Sequence, residues 1–197
     1  MMRLIAVTEP TFRADEPEAI RLLLDEGIDR IHLRKPGSDE CRMRRLVESL
    51  PGECFPRLTL HDHLPLAVEY GIGGVHLSGR NPEPPARFGG LLSRSCHSLR
   101  ELAACREEDY LFLSPIFDSI SKAGYRAGFS ARELSEAACA GVITGRTVAL
   151  GGIRPEHLPA LREYGFGGAA LLGYLWQSPS PAEMVRRIAK LKRYNEL

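Results

Sequence analysis

The feature that most constrains the fold is a unit that recurs along the chain: a short apolar run, a polar loop and an amphipathic stretch. The first unit joins Arg3–Val7 to a helical pattern over Glu18–Glu26, which ends at Gly27. Eight such units follow one another without a break in composition. Strands that alternate with helices are typical of a parallel sheet covered by helices. Runs as apolar as VALG fit strands that are buried on both faces.

Eight units favour a closed barrel, so we predict a compact (β/α)8 TIM barrel that forms one domain over residues 1–197. The predicted strands are Arg3–Val7, Arg30–Arg34, Arg57–Leu60, Gly74–Leu77, Leu91–Ser95, Tyr110–Leu113, Thr147–Leu150 and Ala169–Leu172. The predicted helices are Glu18–Glu26, Glu40–Leu50, Pro65–Tyr70, Leu99–Arg106, Ala131–Ala140, Pro155–Tyr164 and Pro181–Leu191. Because Asn81–Gly90 is rich in proline, we expect only a rudimentary helix after the fourth strand.

Composition restricts the class of partner. The net charge of +1 offers no basic footprint for nucleic acid or a membrane surface, so a small molecule is the expected partner. No apolar run approaches the ~20 residues that span a bilayer. The five cysteines are scattered, which is typical of reduced thiols in a cytoplasmic protein rather than of a disulfide scaffold or a zinc site.

Polar side chains gather where the predicted strands end, which is where TIM barrels place their chemistry. These residues are His32, Arg34, His61, Asp62, His63, His76, Ser95, His97 and Ser114. Of the six histidines, only His157 falls on a predicted outer helix. This clustering predicts an active site at the carboxyl ends of the strands.

Glycines after the last two strands predict a phosphate site, because glycine lets backbone N–H groups approach an anion closely. Gly151 and Gly152 follow strand seven, and Leu172 and Gly173 stand at the end of strand eight. The loop after strand six adds two hydroxyls and one cation. These are Ser119, Ser121 and Lys122. Together they indicate a phosphorylated ligand of modest size.

Several segments, taken in order on successive strands, resemble the family of thiamin phosphate synthase and its sister, the TenI-type thiazole tautomerase. They are IHLRK (31–35), HDHLPLAVEYGIGGVHL (61–77), RSCHSLREL (94–102), DYLFLSPIFDSISKAG (109–124) and VALGGI (148–153). The resemblance implies a TIM barrel that acts in thiamin biosynthesis on a phosphorylated thiazole.

The synthase joins a pyrimidine diphosphate to the thiazole phosphate and expels pyrophosphate held by Mg²⁺. This chain departs from its pattern: His32 replaces a glutamine, Pro36 stands where a lysine belongs, and Asn81 aligns with an Mg²⁺ aspartate. Asp62 is the surviving carboxylate. Lys35 lies one residue early and is a candidate substitute for the missing lysine.

The tautomerase shifts a proton on a thiazole carboxylate phosphate and needs no metal. His97 aligns with the histidine to which that proton transfer is assigned, and the sister shares the histidine-x-arginine pattern of His32 and Arg34. Histidine titrates near 6.5, so it can take and return a proton at cellular pH. We therefore favour the tautomerase, with no cofactor, over the synthase, with Mg²⁺. A catalytically silent binding or regulatory protein of the pathway is a third hypothesis.

The remaining expectations concern individual side chains. His97 and His32 are the candidate catalytic residues, although His97 could only cap the next helix and His32 could serve as support. Asp62 either binds metal or caps a helix, and His76 is expected to be structural. The candidate substrate ligands are Arg34, Lys35, His61, Ser95, Ser119, Ser121 and Lys122. His61 and His63 could bind metal together, but no ligand spacing requires it. The oligomeric state stays open, with a homo-oligomer as one alternative.

Overall fold

The computed structural model describes residues 1–118 and 127–196. Its strands are β1 (Arg3–Val7), β2 (Arg30–Leu33), β3 (Leu58–Leu60), β4 (Gly74–Leu77), β5 (Leu91–Cys96), β6 (Tyr110–Leu113), β7 (Thr147–Leu150) and β8 (Gly168–Leu171). Each strand pairs in parallel with its neighbour in chain order, and β8 pairs with β1. The predicted closed barrel is confirmed.

Helices connect most of the strands. They are α1 (Glu16–Asp25), α2 (Glu40–Glu48), α3 (Pro65–Tyr70), α4 (Leu99–Ala104), α5 (Ala131–Cys139), α6 (Leu158–Glu163), α7 (Gly173–Trp176) and α8 (Pro181–Glu196). Two 3₁₀ helices cover Gly52–Arg57 and Pro155–His157. None of the described helices is long and apolar enough to cross a bilayer.

The helices differ from the prediction in four main places. Between β4 and β5 the chain forms turns without any helix, because Pro82, Pro84 and Pro85 cannot donate helical hydrogen bonds. The 3₁₀ helix at Gly52–Arg57 and the short α7 were not predicted. Helix α8 also continues past Leu191 to Glu196, where buried Asn195 bonds the backbone N–H and carbonyl of Met2.

The barrel interior is partly apolar and partly polar. One cluster of buried side chains fills it from the strands: Ile5, Val7, Tyr110, Phe112, Val148 and Ala170. Side chains alternate in and out along a strand, and the side chains of His32, His76 and Ser93 also point inward. All three are fully or almost fully buried. This polar part of the interior lies directly beneath the mouth of the barrel, and it positions the site described next.

Candidate active site

A cavity of about 620 Å³ opens at the carboxyl ends of the strands. It is lined by Val7, Arg34, His61, His76, Ser78, Gly79, Arg80, Ser95, His97, Glu101, Phe112, Ser114, Leu150 and Leu172. We call it the mouth pocket. The structure thus brings together five of the residues predicted for the site, namely Arg34, His61, Ser95, His97 and Leu172. This is the end of the barrel at which TIM-barrel enzymes bind substrate.

His97 stands at the edge of the mouth pocket with its side chain exposed. Its Nδ1 lies 3.3 Å from both the carbonyl and the hydroxyl oxygen of Ser114. The helix cap is Ser98, whose hydroxyl accepts from the N–H of Glu101, while the N–H of His97 donates to the Glu101 carboxylate. The imidazole of His97 is therefore not needed as a cap and can reach a ligand.

Two guanidinium groups and one carboxylate form the rim of the pocket. Arg34 follows β2 and Arg80 follows β4, and both line the pocket. Asp62, after β3, accepts the main-chain N–H of Lys35 at 3.1 Å and a hydrogen bond from Arg80 at 3.2 Å. Asp62 does not cap helix α3, which has no side-chain cap. The two guanidinium groups can bind an anionic ligand, and the Glu101 carboxylate also lines the pocket.

Lys35 does not lie in the mouth pocket, so the prediction that it binds substrate does not fit the structure. Its Nζ bonds the carbonyl oxygens of Glu9 and Thr11, each at 2.8 Å, and the carboxylate of Glu16 at 2.5 Å. Both side chains of the pair are fully buried. Burial lowers the pKa of Lys35 and raises the pKa of Glu16, and the ion pair opposes both shifts. Lys35 therefore fixes the loop after β1 and is not available to compensate for the missing motif lysine.

Three buried histidines, His32, His61 and His76, pack together under the pocket. His61 and His76 stack with their ring centroids 4.0 Å apart, and Nδ1 of His32 lies 2.8 Å from Nε2 of His61. Burial and the neighbouring charges lower the pKa of His32 and of His61 well below the ordinary value. Burial likewise lowers the pKa of His76 to about 3. All three rings are therefore neutral near pH 7.

Each of these histidines offers a nitrogen within 4.8 Å of the others, which is a grouping that could hold a metal ion. However, His32 uses its second nitrogen on the Tyr110 hydroxyl, and His76 uses both on serine hydroxyls. A face-to-face stack also points ring nitrogens poorly toward one shared ion. The contacts favour a hydrogen-bonded network over a metal centre. His63 lies apart from this group and bonds Ser38.

The glycines predicted to bind phosphate are held by close packing of the backbone. Gly151 and Gly152 have φ angles of 102° and 64°. A Cβ at Gly152 would lie 2.2 Å from the carbonyl oxygen of Asp118, so only glycine fits this turn. Neither glycine lines the mouth pocket. Gly173 lines a neighbouring groove of about 450 Å³ together with the side chains of Arg154 and Lys190. Ser119, Ser121 and Lys122 lie outside the described residues.

The profile of the family TMP-TENI, described as thiamine monophosphate synthase, matches residues 4–175. The chain belongs to this family. One of its curated relatives, a thiamine-phosphate synthase of Bacteroides fragilis, is 27% identical over 97% of this chain and 100% of its own length. A putative thiamine-phosphate synthase of Geobacter sulfurreducens is 29% identical over 84% of this chain and 81% of its own length.

Solved structures agree with this family membership. Thiamine phosphate pyrophosphorylase from Bacteroides thetaiotaomicron is 36% identical, has a TM-score of 0.89 and is matched over 100% of this chain and 98% of its own. The thiamine-phosphate synthase of a Synechococcus strain is 30% identical over 96% of this chain and 56% of its own length, so that relative is the longer protein. The family is one of thiamine biosynthesis enzymes, and these names support the synthase better than the tautomerase that the sequence motifs favoured.

Several pocket residues were missed by the sequence analysis. Arg80, Phe112 and Glu101 line the pocket, and Tyr110 and Ser93 lie beneath it. The alternation of side chains along β5 and β6 could have indicated the inward positions of the last two. Arg80 stands in the irregular SGRN segment after β4, where no periodicity reports the direction of a side chain.

Proposed function

We propose that the chain is a thiamine-phosphate synthase, which joins a pyrimidine diphosphate to a thiazole phosphate and releases pyrophosphate. The observation that carries this proposal is the rim of the mouth pocket, where Arg34, Arg80 and Asp62 converge from three successive strands. Two guanidinium groups supply countercharge for a diphosphate leaving group. The names of the relatives support the same reaction.

The family resemblance implies Mg²⁺. Asp62 alone offers too few oxygen ligands for this ion, so phosphate oxygens of the substrate would have to supply others. One oxygen of Asp62 accepts the Lys35 N–H, and the other contacts Arg80, whose side chain is 56% exposed and can turn toward the ligand. Mg²⁺ is commonly bound by one or two carboxylates plus phosphate oxygens. Asp62 would therefore hold the ion, which supplies positive charge to the departing diphosphate. Asn81 bonds the His61 carbonyl through Nδ2 and adds no second carboxylate.

Other side chains of the pocket orient the substrates and enclose them. Arg34 and Arg80 orient the diphosphate, so that the bond from its oxygen to the pyrimidine methylene can break while the thiazole nitrogen attacks that carbon. The apolar wall of Phe112, Leu150 and Leu172 packs against ring faces and limits water at the reacting carbon. The hydroxyl of Ser78 is buried against the pocket without a hydrogen-bond partner among the described residues. A polar atom of a bound ligand would satisfy it.

The test is the formation of thiamin phosphate from both substrates in the presence of Mg²⁺. We expect product from the wild-type protein, loss of product on addition of a chelator, and at least a tenfold slower rate for Asp62→Asn. Asp109→Asn is the matched control, because Asp109 precedes β6 at the opposite end of the strands, where its carboxylate accepts the Leu92 N–H. A folded wild-type protein that forms no thiamin phosphate would refute the synthase.

A second candidate, the thiazole tautomerase, is favoured by one specific contact. Arg80 lies on Asp62, the position where the synthase needs a metal, and His97 faces the same pocket. Incubation with the non-aromatic thiazole carboxylate phosphate alone, with a chelator present, tests this candidate. Aromatisation that His97→Ala slows, without any thiamin phosphate in the first assay, would establish it. Tight binding without turnover in both assays would indicate a silent binding protein.

A further inference from the structure

Two cysteine sulfur atoms lie in contact beside the barrel, and the proposed reaction does not use them. Sγ of Cys96 is 3.9 Å from Sγ of Cys105, and both cysteines are free thiols. Cys96 is the last residue of β5, and Cys105 is the residue that follows α4. The end of a strand and the end of a helix are thus connected by two neighbouring thiols in reduced form.

The two thiols differ in their access to solvent. Side chains alternate along β5, so Cys96 points away from the barrel interior, and it is fully buried in the hydrophobic core. Cys105 is only partly buried and lines a cavity. Burial, with a smaller effect of Cys105, raises the pKa of Cys96 to about 12. Because the thiolate is the nucleophile in thiol chemistry, Cys105 is the thiol that a reagent meets first.

The cavity beside Cys105 has a volume of about 600 Å³. It lies between the end of α4 and the segment that leads into β7, and it shares no lining residue with the mouth pocket. Its walls include Leu102, Cys105, Arg106, Leu111, Val142 and Arg146. We call it the outer cavity. A reagent in this cavity can approach Cys105 without entering the mouth pocket.

The outer cavity carries positive charge. Arg106 and Arg146 line it, and none of the lining residues that the structure describes is acidic. The guanidinium group of Arg146 lies 3.4 Å from the carbonyl oxygen of Arg106 and 3.5 Å from that of Cys105, so it stands beside the thiol. Glu108, which follows in the same loop, is paired with Arg94 instead. Two guanidinium groups next to a thiol favour an anionic reagent over a cationic one.

We propose that Cys105 and Cys96 form a thiol–disulfide exchange site, at which a small anionic disulfide in the outer cavity oxidises the pair to an internal disulfide. The ligand class is a low-molecular-weight disulfide that carries carboxylates, and glutathione disulfide is the probe for it. Cys105 is the attacking thiol, because it lines the cavity. Cys96 is the resolving thiol, because it is buried and its sulfur contacts only the sulfur of Cys105 among the described polar groups.

The exchange takes place in two steps that balance. The Cys105 thiolate, its proton given to water, attacks one sulfur of the reagent, so that the S–S bond of the reagent breaks and one reagent thiolate leaves. Sγ of Cys96 then attacks Sγ of Cys105 in the mixed disulfide. The bond from Cys105 to the reagent breaks, and the second reagent thiol leaves with the proton of Cys96. Two cysteine thiols are oxidised to one disulfide, and one reagent disulfide is reduced to two thiols.

Closure of the bridge needs a small movement of the chain. The sulfur atoms must approach from 3.9 Å to the length of a disulfide bond, about 2.05 Å. Cys105 stands at the C-cap of α4 in an extended conformation, with φ −75° and ψ 129°. Residues 105–109 belong to no helix or strand. This loop can absorb the movement, whereas β5 is held on both sides by β4 and β6.

The bridge would also affect the mouth pocket, because the cysteine pair adjoins residues that line it. Cys96 stands between Ser95 and His97, which both line the pocket. Glu101, on α4, lines it too, and its carboxylate accepts the N–H of His97. A bond that draws the end of α4 toward the end of β5 should therefore displace these groups and slow the reaction. This effect on the rate rests on the proposed function, whereas formation of the bridge does not.

The experiment treats the reduced full chain with glutathione disulfide, blocks the remaining thiols and digests the protein with trypsin without reduction. Trypsin cuts after Arg94, Arg100 and Arg106, so the proposed bridge joins peptide 95–100 to peptide 101–106. We expect this joined peptide, which mass spectrometry identifies and which a reductant separates. A mixed disulfide that persists on Cys105 of the wild type, without the joined peptide, would overturn the exchange site.

Substitutions separate the two steps. Cys96→Ser should stop at the mixed disulfide on Cys105, and Cys105→Ser should leave Cys96 unmodified. Cys41→Ser is the matched control, because it removes an exposed thiol on α2 and should form the bridge at the wild-type rate. If Cys96→Ser does not fold, Cys105→Ser decides this test. Modification of Cys96 at the wild-type rate in Cys105→Ser would contradict the proposed order of attack.

The charge of the reagent tests the outer cavity. Cystamine, a cationic disulfide, should form the bridge about tenfold more slowly than glutathione disulfide, as expected when local charge steers a reagent. Arg146→Met should narrow this difference. Arg132→Met, which removes a cation of the exposed face of α5, should not. Equal rates with the two reagents in the wild type would overturn the anionic class of the ligand.

The last measurement compares thiamin phosphate formation by the bridged and the reduced wild type. We expect the bridged form to be slower by about tenfold or more, because small displacements of groups around a substrate are costly, and a reductant should restore the rate. An unchanged rate in fully bridged protein would overturn the effect on the mouth pocket. Absence of product from both forms would refute only the synthase, since the joined peptide still decides the exchange site.

Discussion

Polar side chains at the rim of the barrel mouth are charged, whereas the histidines in the barrel interior are neutral. At the rim, Arg34 and Arg80 keep their charges within reach of solvent, and the exposed Arg80 side chain pairs with the largely buried Asp62 carboxylate. In the interior of the barrel, His32 and His76 are buried and neutral, and their ring nitrogens are bonded to protein groups. Charge at the rim suits the binding of an anion, whereas the neutral groups of the interior bond one another.

The comparison also explains the position of Lys35. Lys35 comes from the same HLRK segment as Arg34, yet its ammonium group is buried. It is paired there with the Glu16 carboxylate. A buried charge is tolerated only when paired. Polar groups of the interior should therefore affect stability when removed, whereas polar groups of the rim should affect binding.

The largest expected effect is on stability and comes from Lys35→Met. Removal of the ammonium group leaves the buried Glu16 carboxylate unpaired, which typically costs about 3–5 kcal/mol. Urea unfolding measures this loss. The double variant Lys35→Met/Glu16→Leu should recover most of it. Arg132→Met, which breaks an exposed ion pair with Glu136, should cost less than about 1 kcal/mol. Equal losses for Lys35→Met and Arg132→Met would contradict the buried pairing.

Gly152→Ala should destabilise the protein by about 1–3 kcal/mol, as expected for a strained backbone position. Its φ is 64°, and the added Cβ would meet the Asp118 carbonyl at 2.2 Å. Gly145→Ala is the matched control, because a Cβ there meets no atom within 4 Å. Thermal unfolding of both variants measures the difference. If the two glycines respond alike, the tight turn after β7 is not what requires glycine at 152.

The buried histidines should make the folded protein less stable as the pH is lowered. The folded-state pKa of His76 is about 3, below the ordinary 6.5, so below pH 6.5 the unfolded chain binds a proton that the folded chain does not. Stability is therefore present above that pH and is lost as the pH falls toward 3, by up to about 1.4 kcal/mol per pH unit for each such group. His76→Gln should show a correspondingly shallower slope between pH 6 and about pH 4 in unfolding experiments. An unchanged slope would show that this ring is not kept neutral by folding.

Sequence patterns predicted the architecture better than the site. The bounds of β1, β4, β6 and β7 match the prediction, because apolar runs flanked by turns mark buried parallel strands clearly. His97 and Arg34 were placed at the mouth because a strand end fixes where the next residue lies. The burial of Lys35 could not be foreseen, because it depends on Glu16 of helix α1, a partner supplied by tertiary structure.

The contacts of the buried histidines could not be predicted from the sequence for a related reason. Tyr110 and His32 are 78 residues apart, and no spacing rule brings them together. Each was readable only as an inward position on its own strand. The closed barrel places these strands so that hydroxyl and imidazole groups meet at hydrogen-bond distance. Whether His32 supports the site or acts in catalysis therefore depends on hydrogen bonds that only the folded structure shows.

The most direct test of the division between rim and interior is calorimetric titration of the protein with inorganic pyrophosphate and with thiazole phosphate. Arg34→Ala should weaken the binding of at least one of these anions about tenfold or more, as loss of a charge-assisted contact predicts. Arg94→Ala should not, because Arg94 pairs with Glu108 outside the mouth pocket. Unaltered affinity of Arg34→Ala for both anions, or equal weakening in the two variants, would contradict the account.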